Sequence, residues 1–144
     1  MAEALITYRG TLYPWQCDHV GHMNVMWYAG KFDEATWQVF REVGLTPTFL
    51  SEAGRGMAAV DQHITYAQEL HAGDTVTVKS KVVEVKPRLL VFQHEMWNDE
   101  KSAVAATTTL KAVHLDTTAR KSCALPDAVM QRAAAWAAGQ LSFD

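Results

Sequence analysis

One stretch of this chain repeats its side chains at helical spacing over a long span, and most of the chain beyond it alternates like strand. Val25, Tyr28, Ala29, Phe32, Ala35, Thr36, Val39, Phe40 and Val43 recur at steps of three and four. Trp27, Lys31, Glu34, Gln38 and Arg41 fall on the opposite side. Gly44 supplies a stop and Pro47 stands just beyond it. The spacing predicts a helix over 25–43 with a broad apolar stripe, which needs a sheet to cover it.

The rest of the chain supplies that sheet. Residues 5–12 alternate as a first strand, and residues 57–68 as a second, ending at a turn around Gly73 and Asp74. Residues 75–86 separate polar from apolar positions as a strand with one wet face does. Pro87 breaks that run, 89–97 resumes it, and Asn98 to Lys101 reads as a hairpin turn. Residues 102–115, rich in Thr and Val, form the last long strand. Pro126 opens an Ala-rich helix through Trp136. One strand, one long helix and then an antiparallel meander is an α+β pattern, in which a single sheet wraps a single helix. Residues 1–144 are expected to form one domain, since the length leaves little room for a second.

Composition excludes some partners. The formal charge is -3, so no overall positive field draws the chain to nucleic acid or an anionic membrane. No apolar run approaches the ~20 residues that cross a bilayer, and the first residues lack a signal-peptide pattern. Cys17 and Cys123 make no CxxC spacing and no disulfide framework. The cytoplasm is the expected location.

The chemistry concentrates between Tyr13 and Glu34. Asp18, Gly21, His22 and Asn24 fall within seven residues, just before the helix start. A helix N-terminus offers unpaired N–H groups and partial positive charge, which can stabilise the oxyanion formed when an acyl carbonyl is attacked. A nearby carboxylate can attack that carbonyl or activate a water. Gly21 would let backbone approach a ligand closely. Asp18 taken alone could equally be a cap or loop anchor. Cys17, Asp18, His19 and His22 match no usual zinc spacing, so no metal is expected. His63, His71, His94 and His114 lie in or beside strands and read as structural; Glu69 and Asp74 read as turn residues.

The run from Trp15 to Tyr28, followed by Phe32-Asp-Glu-Ala35, closely resembles the 4-hydroxybenzoyl-CoA thioesterase-like hotdog family. The matching pattern is Asp18, Gly21, His22, Asn24 and Tyr28, and the stretches Ile64–Asp74 and Asp116–Pro126 are similar to further family signatures. The resemblance implies a hotdog fold and hydrolysis of an acyl-CoA to free acid and CoA, with no metal or redox cofactor. It assigns Asp18 as catalytic base or nucleophile, the Val25 N–H as oxyanion donor, and His22 and Asn24 as positioning groups. It also implies a homodimer or a tetramer of dimers with the site between subunits. Two departures are Cys17, where many members carry Thr, and the apolar pair Val25-Met26.

Arg88 stands where members often place a CoA contact, and Arg120 and Lys121 are further candidates for CoA phosphates. Trp15, Trp27 and Tyr28 gather aromatic faces near Asp18 in sequence, which favours a short cationic or small aryl acyl group. A hotdog hydratase or dehydratase would need a differently spaced motif, which is not found. A non-catalytic acyl-CoA-binding protein is the other alternative.

Overall fold

The computed structural model describes residues 2–143. The elements run β1 (Leu5–Thr11), a 3₁₀ turn (Pro14–Gln16), α1 (Val25–Val43), α2 (Pro47–Ala53), β2 (Arg55–Tyr66) and β3 (Thr75–Lys86). They continue with β4 (Leu89–Asn98), β5 (Ala103–Asp116), β6 (Lys121–Ser122) and α3 (Asp127–Ala137). The strands form one antiparallel sheet in the order β1-β3-β4-β5-β2, with the short β6 beside β5. The sheet curls around α1. This is the α+β hotdog arrangement expected from the sequence.

Helix α1 is fixed at both ends by its own residues. The Asn24 side chain accepts a hydrogen bond from the Met26 N–H, and Gly44 closes the helix in the left-handed conformation at φ 100°. Its stripe buries Tyr28, Phe32 and Ala35 against Leu12, Leu70, Val76, Val78 and Met96. Farther along, Val39, Phe40 and Val43 pack with Val82, Leu90, Phe92, Leu110 and Trp136 of α3. Phe32 is fully enclosed, and removing a ring of that size costs about 3–5 kcal/mol in a core.

A polar seam lies where these two apolar clusters meet. His94 is fully buried on β4. Its Nδ1 is 2.5 Å from Ser80 Oγ, its Nε2 is 2.9 Å from Thr36 Oγ1, and Ser80 Oγ is 2.6 Å from Thr7 Oγ1. The chain of bonds therefore ties β1, β3 and β4 to α1. Every member has a partner, as buried polar groups require. Burial pushes the His94 imidazole down to about 3, so it is neutral in the fold.

Three details differ from the sequence expectation. Lys31, placed on the polar side by periodicity, is buried. Its stem lies against the sheet and its Nζ donates to the Tyr8 hydroxyl at 2.9 Å, an instance of a long cationic side chain covering apolar surface. A side chain at Gly10 would collide with the Tyr8 ring, which explains that glycine. Trp27 likewise turns inward and packs against the Tyr28–Phe32 cluster instead of projecting outward. Residues 47–53 form α2 where the sequence leads one to expect only a chain break. Thr46 Oγ1 caps the Phe49 N–H, Pro47 opens the helix, and Gly54 ends it at φ 64°.

His94 makes stability depend on pH in a defined direction. The unfolded imidazole protonates below about 6.5 while the folded one resists, so stability should fall as pH drops from about 6.5 towards 3, by up to about 1.4 kcal/mol per pH unit. Denaturant melts of the native chain and His94→Gln at pH 7 and pH 4.5 check this. The native chain should lose more than the variant, and parallel losses in both would rule out His94 as the source.

Candidate active site

The loop from Tyr13 to Asn24 is clamped to the turn before β3. Leu12 N–H donates to Asp74 O at 2.8 Å, Gly73 N–H to Leu12 O at 2.8 Å, and Met23 N–H to Leu70 O at 2.7 Å. Within the loop, Gly21 N–H donates to Asp18 O and Asp18 N–H to His22 O, closing a tight turn. Gly21 sits at φ 100° and a Cβ there would meet no atom within 4 Å. The left-handed backbone, more than close approach, requires the glycine.

This turn presents Asp18 to the helix start. Asp18 Oδ1 accepts from the Val20 N–H at 2.9 Å, and Oδ2 accepts from Asn24 Nδ2 at 3.0 Å. Asn24 Oδ1 in turn accepts from the Met26 N–H at 3.0 Å. One side-chain amide thus holds the carboxylate with its nitrogen and caps α1 with its oxygen. The Asn24 amide first, and the Val20 N–H second, hold the Asp18 carboxyl below the usual carboxylate range, so it is ionised at neutral pH. Val25 is exposed, and its backbone N–H, at the first position of α1, has no acceptor among the described residues. Carboxylate and free N–H at the positive end of a helix can together activate a water and stabilise an oxyanion.

Beside Val25 opens a cavity of about 210 Å³ whose walls include His22, Tyr28, Tyr66 and Glu69. The rings of Tyr28 and Tyr66 stand 5.0 Å apart at 88°. The Tyr28 hydroxyl donates to Gln68 O at 3.3 Å, and burial pushes its phenol up to about 12, so it stays neutral. His22 Nε2 is 3.6 Å from Glu69 Oε1, and His71 Nε2 is 3.7 Å from Glu69 Oε2. Sequence spacing does not single out Tyr66 as a site residue, and it assigns Glu69 to a turn. The available signal is the aromatic of Ile64-Thr-Tyr66, because β2 ends beside the N-terminus of α1.

The structure does not bring every expected residue here. Trp15 stacks on Tyr13 at 4.6 Å, is exposed, and does not line this cavity. Trp27 faces the core cluster. Of the three aromatics grouped by sequence, only Tyr28 lines the cavity. Arg88 bonds Ser122 O and Oγ at 3.3 Å, which places it beside Arg120 and Lys121 around β6. That basic group lies at the far end of β3 from the Asp18 loop. Twelve residues of strand separate them, roughly 36 Å of contour at about 3.3 Å per residue. Within one chain they do not meet the Asp18 site. No three His, Cys, Asp or Glu side chains among the described residues are grouped to hold a metal ion.

Known proteins share sequence and fold with this chain. The profile of the thioesterase-like superfamily matches residues 12–133. The L-carnitine dehydrogenase/betainyl-CoA thioesterase of Agrobacterium fabrum is 29% identical over 79% of this chain, and that of Ruegeria pomeroyi 28% over 74%. The match spans only 23% and 21% of those longer proteins. Among solved structures, a Staphylococcus aureus protein in complex with CoA superposes with a TM-score of 0.89 at 19% identity, covering 100% of this chain and 90% of that one. The 1,4-dihydroxy-2-naphthoyl-CoA thioesterase of Synechocystis gives 0.78 at 18%, covering 90% and 95%. These likenesses establish the hotdog fold.

The double duty of Asn24 can be measured. Asn24→Ala should cost about 1 kcal/mol of stability through the lost cap. It should also let the Asp18 pKa rise, moving the acid limb of kcat/KM for thioester hydrolysis to higher pH. An acid limb that stays put in the variant would separate Asn24 from the carboxylate.

Proposed function

We propose that this chain, which belongs to the thioesterase-like superfamily, hydrolyses an acyl-CoA whose acyl group is short and carries a quaternary ammonium. In this mechanism Asp18 takes a proton from water as the water oxygen bonds to the thioester carbon. The carbonyl oxygen becomes an oxyanion facing the Val25 N–H, and collapse breaks the C–S bond to release CoA thiolate, which is then protonated. Asn24 fixes the carboxylate, and His22 positions the substrate. No metal or redox cofactor takes part.

The cavity beside Val25 is the observation that carries this choice of acyl group. Two perpendicular tyrosine rings and the Glu69 carboxylate provide aromatic and anionic surface for a cation. About 210 Å³ has room for a small acyl group. The two curated relatives carry betainyl-CoA thioesterase in their names, which supports the same class of substrate. CoA bound to the structurally similar Staphylococcus aureus protein supports CoA as the thiol part.

We further propose a cytoplasmic homodimer, alone or paired into a tetramer. No helix among the described residues is long and apolar enough to cross a membrane. Strand β2 bonds β5 along one side only, and its Ala59–His63 segment is exposed. A twelve-residue strand with an open edge is a surface that a second copy completes. A CoA phosphate that meets Arg88, Arg120 or Lys121 would then belong to a substrate at the partner's site.

Two measurements test these proposals. Asp18→Asn should lower turnover by ~10²–10⁴ with CoA binding largely kept, and near-normal thiol release would remove Asp18 from its role. For selectivity, kcat/KM is compared for betainyl-, phenylacetyl- and palmitoyl-CoA. Betainyl-CoA should lead, and Tyr66→Leu or Glu69→Gln should reduce its advantage by about tenfold, the size of one well-placed cation–π or charge contact. A preference for palmitoyl-CoA, or unchanged selectivity in both variants, would overturn the cationic-acyl assignment. Light scattering should return a multiple of the 16.0 kDa chain mass, and a fully active monomer would contradict the dimer.

A further inference from the structure

Strand β3 alternates its side chains across the sheet. Val76 and Val78 are buried against α1, so Thr77 and Lys79 face the other way. Opposite them, Arg9 pairs with Thr77 on one side and Trp97 pairs with Thr77 on the other. Together with Asp99 and Ser102 of the β4–β5 hairpin, these residues line a cavity of about 520 Å³ on the face of the sheet turned away from α1. It is larger than the cavity beside Val25, and none of its lining residues enters the chemistry described above.

The charges and donors of this cavity are unbalanced. The Lys79 ammonium lies 4.6 Å from the centre of the Trp97 ring. Neither Lys79 nor Arg9 has an ion-pair partner among the described residues. The single carboxylate present, Asp99, accepts the Thr77 hydroxyl at 2.7 Å. The indole Nε1 of Trp97 is buried and has no acceptor among the described residues. A buried N–H without a partner is rare in folded proteins, because the lost water contact is not replaced. Two free cations, an orphan indole N–H and a serine hydroxyl share one need, an oxyanion that accepts several hydrogen bonds. A phosphate carries three such oxygens, and a guanidinium fork suits two of them.

We propose that the outer face of the sheet carries a phosphate-binding site, built by Arg9, Lys79 and Trp97, for the phosphate monoester of a small organic molecule. Two sources present that group, the nucleotide end of CoA itself and a free phosphorylated metabolite. The site is defined independently of the thioester chemistry.

The test uses the full chain, with calorimetry and tryptophan emission followed during titration with inorganic phosphate and with adenosine monophosphate. At least one should bind saturably with Kd at or below about 1 mM, more weakly as salt is added. Arg9→Ala and Lys79→Ala should each weaken it by about tenfold or more. Trp97→Phe, which keeps the aromatic packing and removes the N–H, should also weaken it and abolish the emission change. Cooperative unfolding of each variant confirms that the fold persists. Raised KM for acyl-CoA at unchanged kcat in the Arg9 and Lys79 variants identifies the nucleotide end of CoA as the source, and unchanged KM identifies a free metabolite. The proposal is overturned if neither probe binds saturably, or if both bind equally well to all three variants. It is also overturned if the Arg9 and Lys79 variants change oligomeric mass while the native chain binds neither probe, for the face would then be a subunit contact.

Discussion

The burial of one long helix by one curled sheet determines everything else in this molecule. A single antiparallel sheet can cover α1 along its stripe but cannot enclose its ends. The N-terminus of α1 therefore emerges at the rim of the sheet, where the Asn24 side chain takes the Met26 N–H and the Val25 N–H has no acceptor among the described residues. The segment that leads into it must return from β1 across that rim, and the backbone bonds to Leu70 and Asp74 hold it there. The Asp18 carboxylate and the open helix end come together because the topology leaves them no other place.

Asn24 shows how local structure and chemistry share one residue. A cap residue has to accept a hydrogen bond from the helix, and an amide does so with its oxygen while its nitrogen remains to donate. Asp could cap α1, but at neutral pH it offers Asp18 no donor, and a Ser would have to accept and donate through one short-reaching oxygen. The price of this arrangement is reactivity: a carboxylate held by two donors is reliably ionised and also a weaker base. In the proposed mechanism the adjacent helix end offsets this by stabilising the charge that develops on the substrate.

Most of the fold is legible in the sequence because its signals are periodic. The α1 stripe and the strand alternation of 75–86 both follow from spacing. The features that spacing misses depend on distance or on side-chain reach. Lys31 sits at a solvent-facing phase of the helix, yet its four-carbon stem lets the ammonium find Tyr8 across the groove. Helix α2 carries its own signals in Thr46, Pro47 and Gly54, but a proline just past one helix reads as a stop as readily as it reads as a start. Tyr66 and Glu69 are some forty residues from Tyr28, and only the folded chain, which sets the Tyr66 ring against Tyr28, shows that they share a cavity. Trp15 and Trp27 illustrate the converse: closeness in sequence to Asp18 does not place a ring at the site. Arg88, assigned by resemblance, sits at the wrong end of β3 for its own chain's Asp18, because two ends of one strand can be as far apart as the domain is wide.

The seam through Thr7, Ser80, His94 and Thr36 has a consequence for how such a sequence can diverge. It parts the core into a half that carries the carboxylate loop and a half that carries Trp136 and α3. Side chains on opposite sides of that boundary share few neighbours, and changes without shared neighbours add almost independently. Drift in the α3 half is therefore free to exchange one apolar side chain for another without epistasis reaching the chemistry. The seam residues themselves are constrained as a set, since altering any one removes a hydrogen bond from a buried neighbour. A lineage of such proteins would vary fastest behind the seam, more slowly in front of it, and along it only by coordinated replacement.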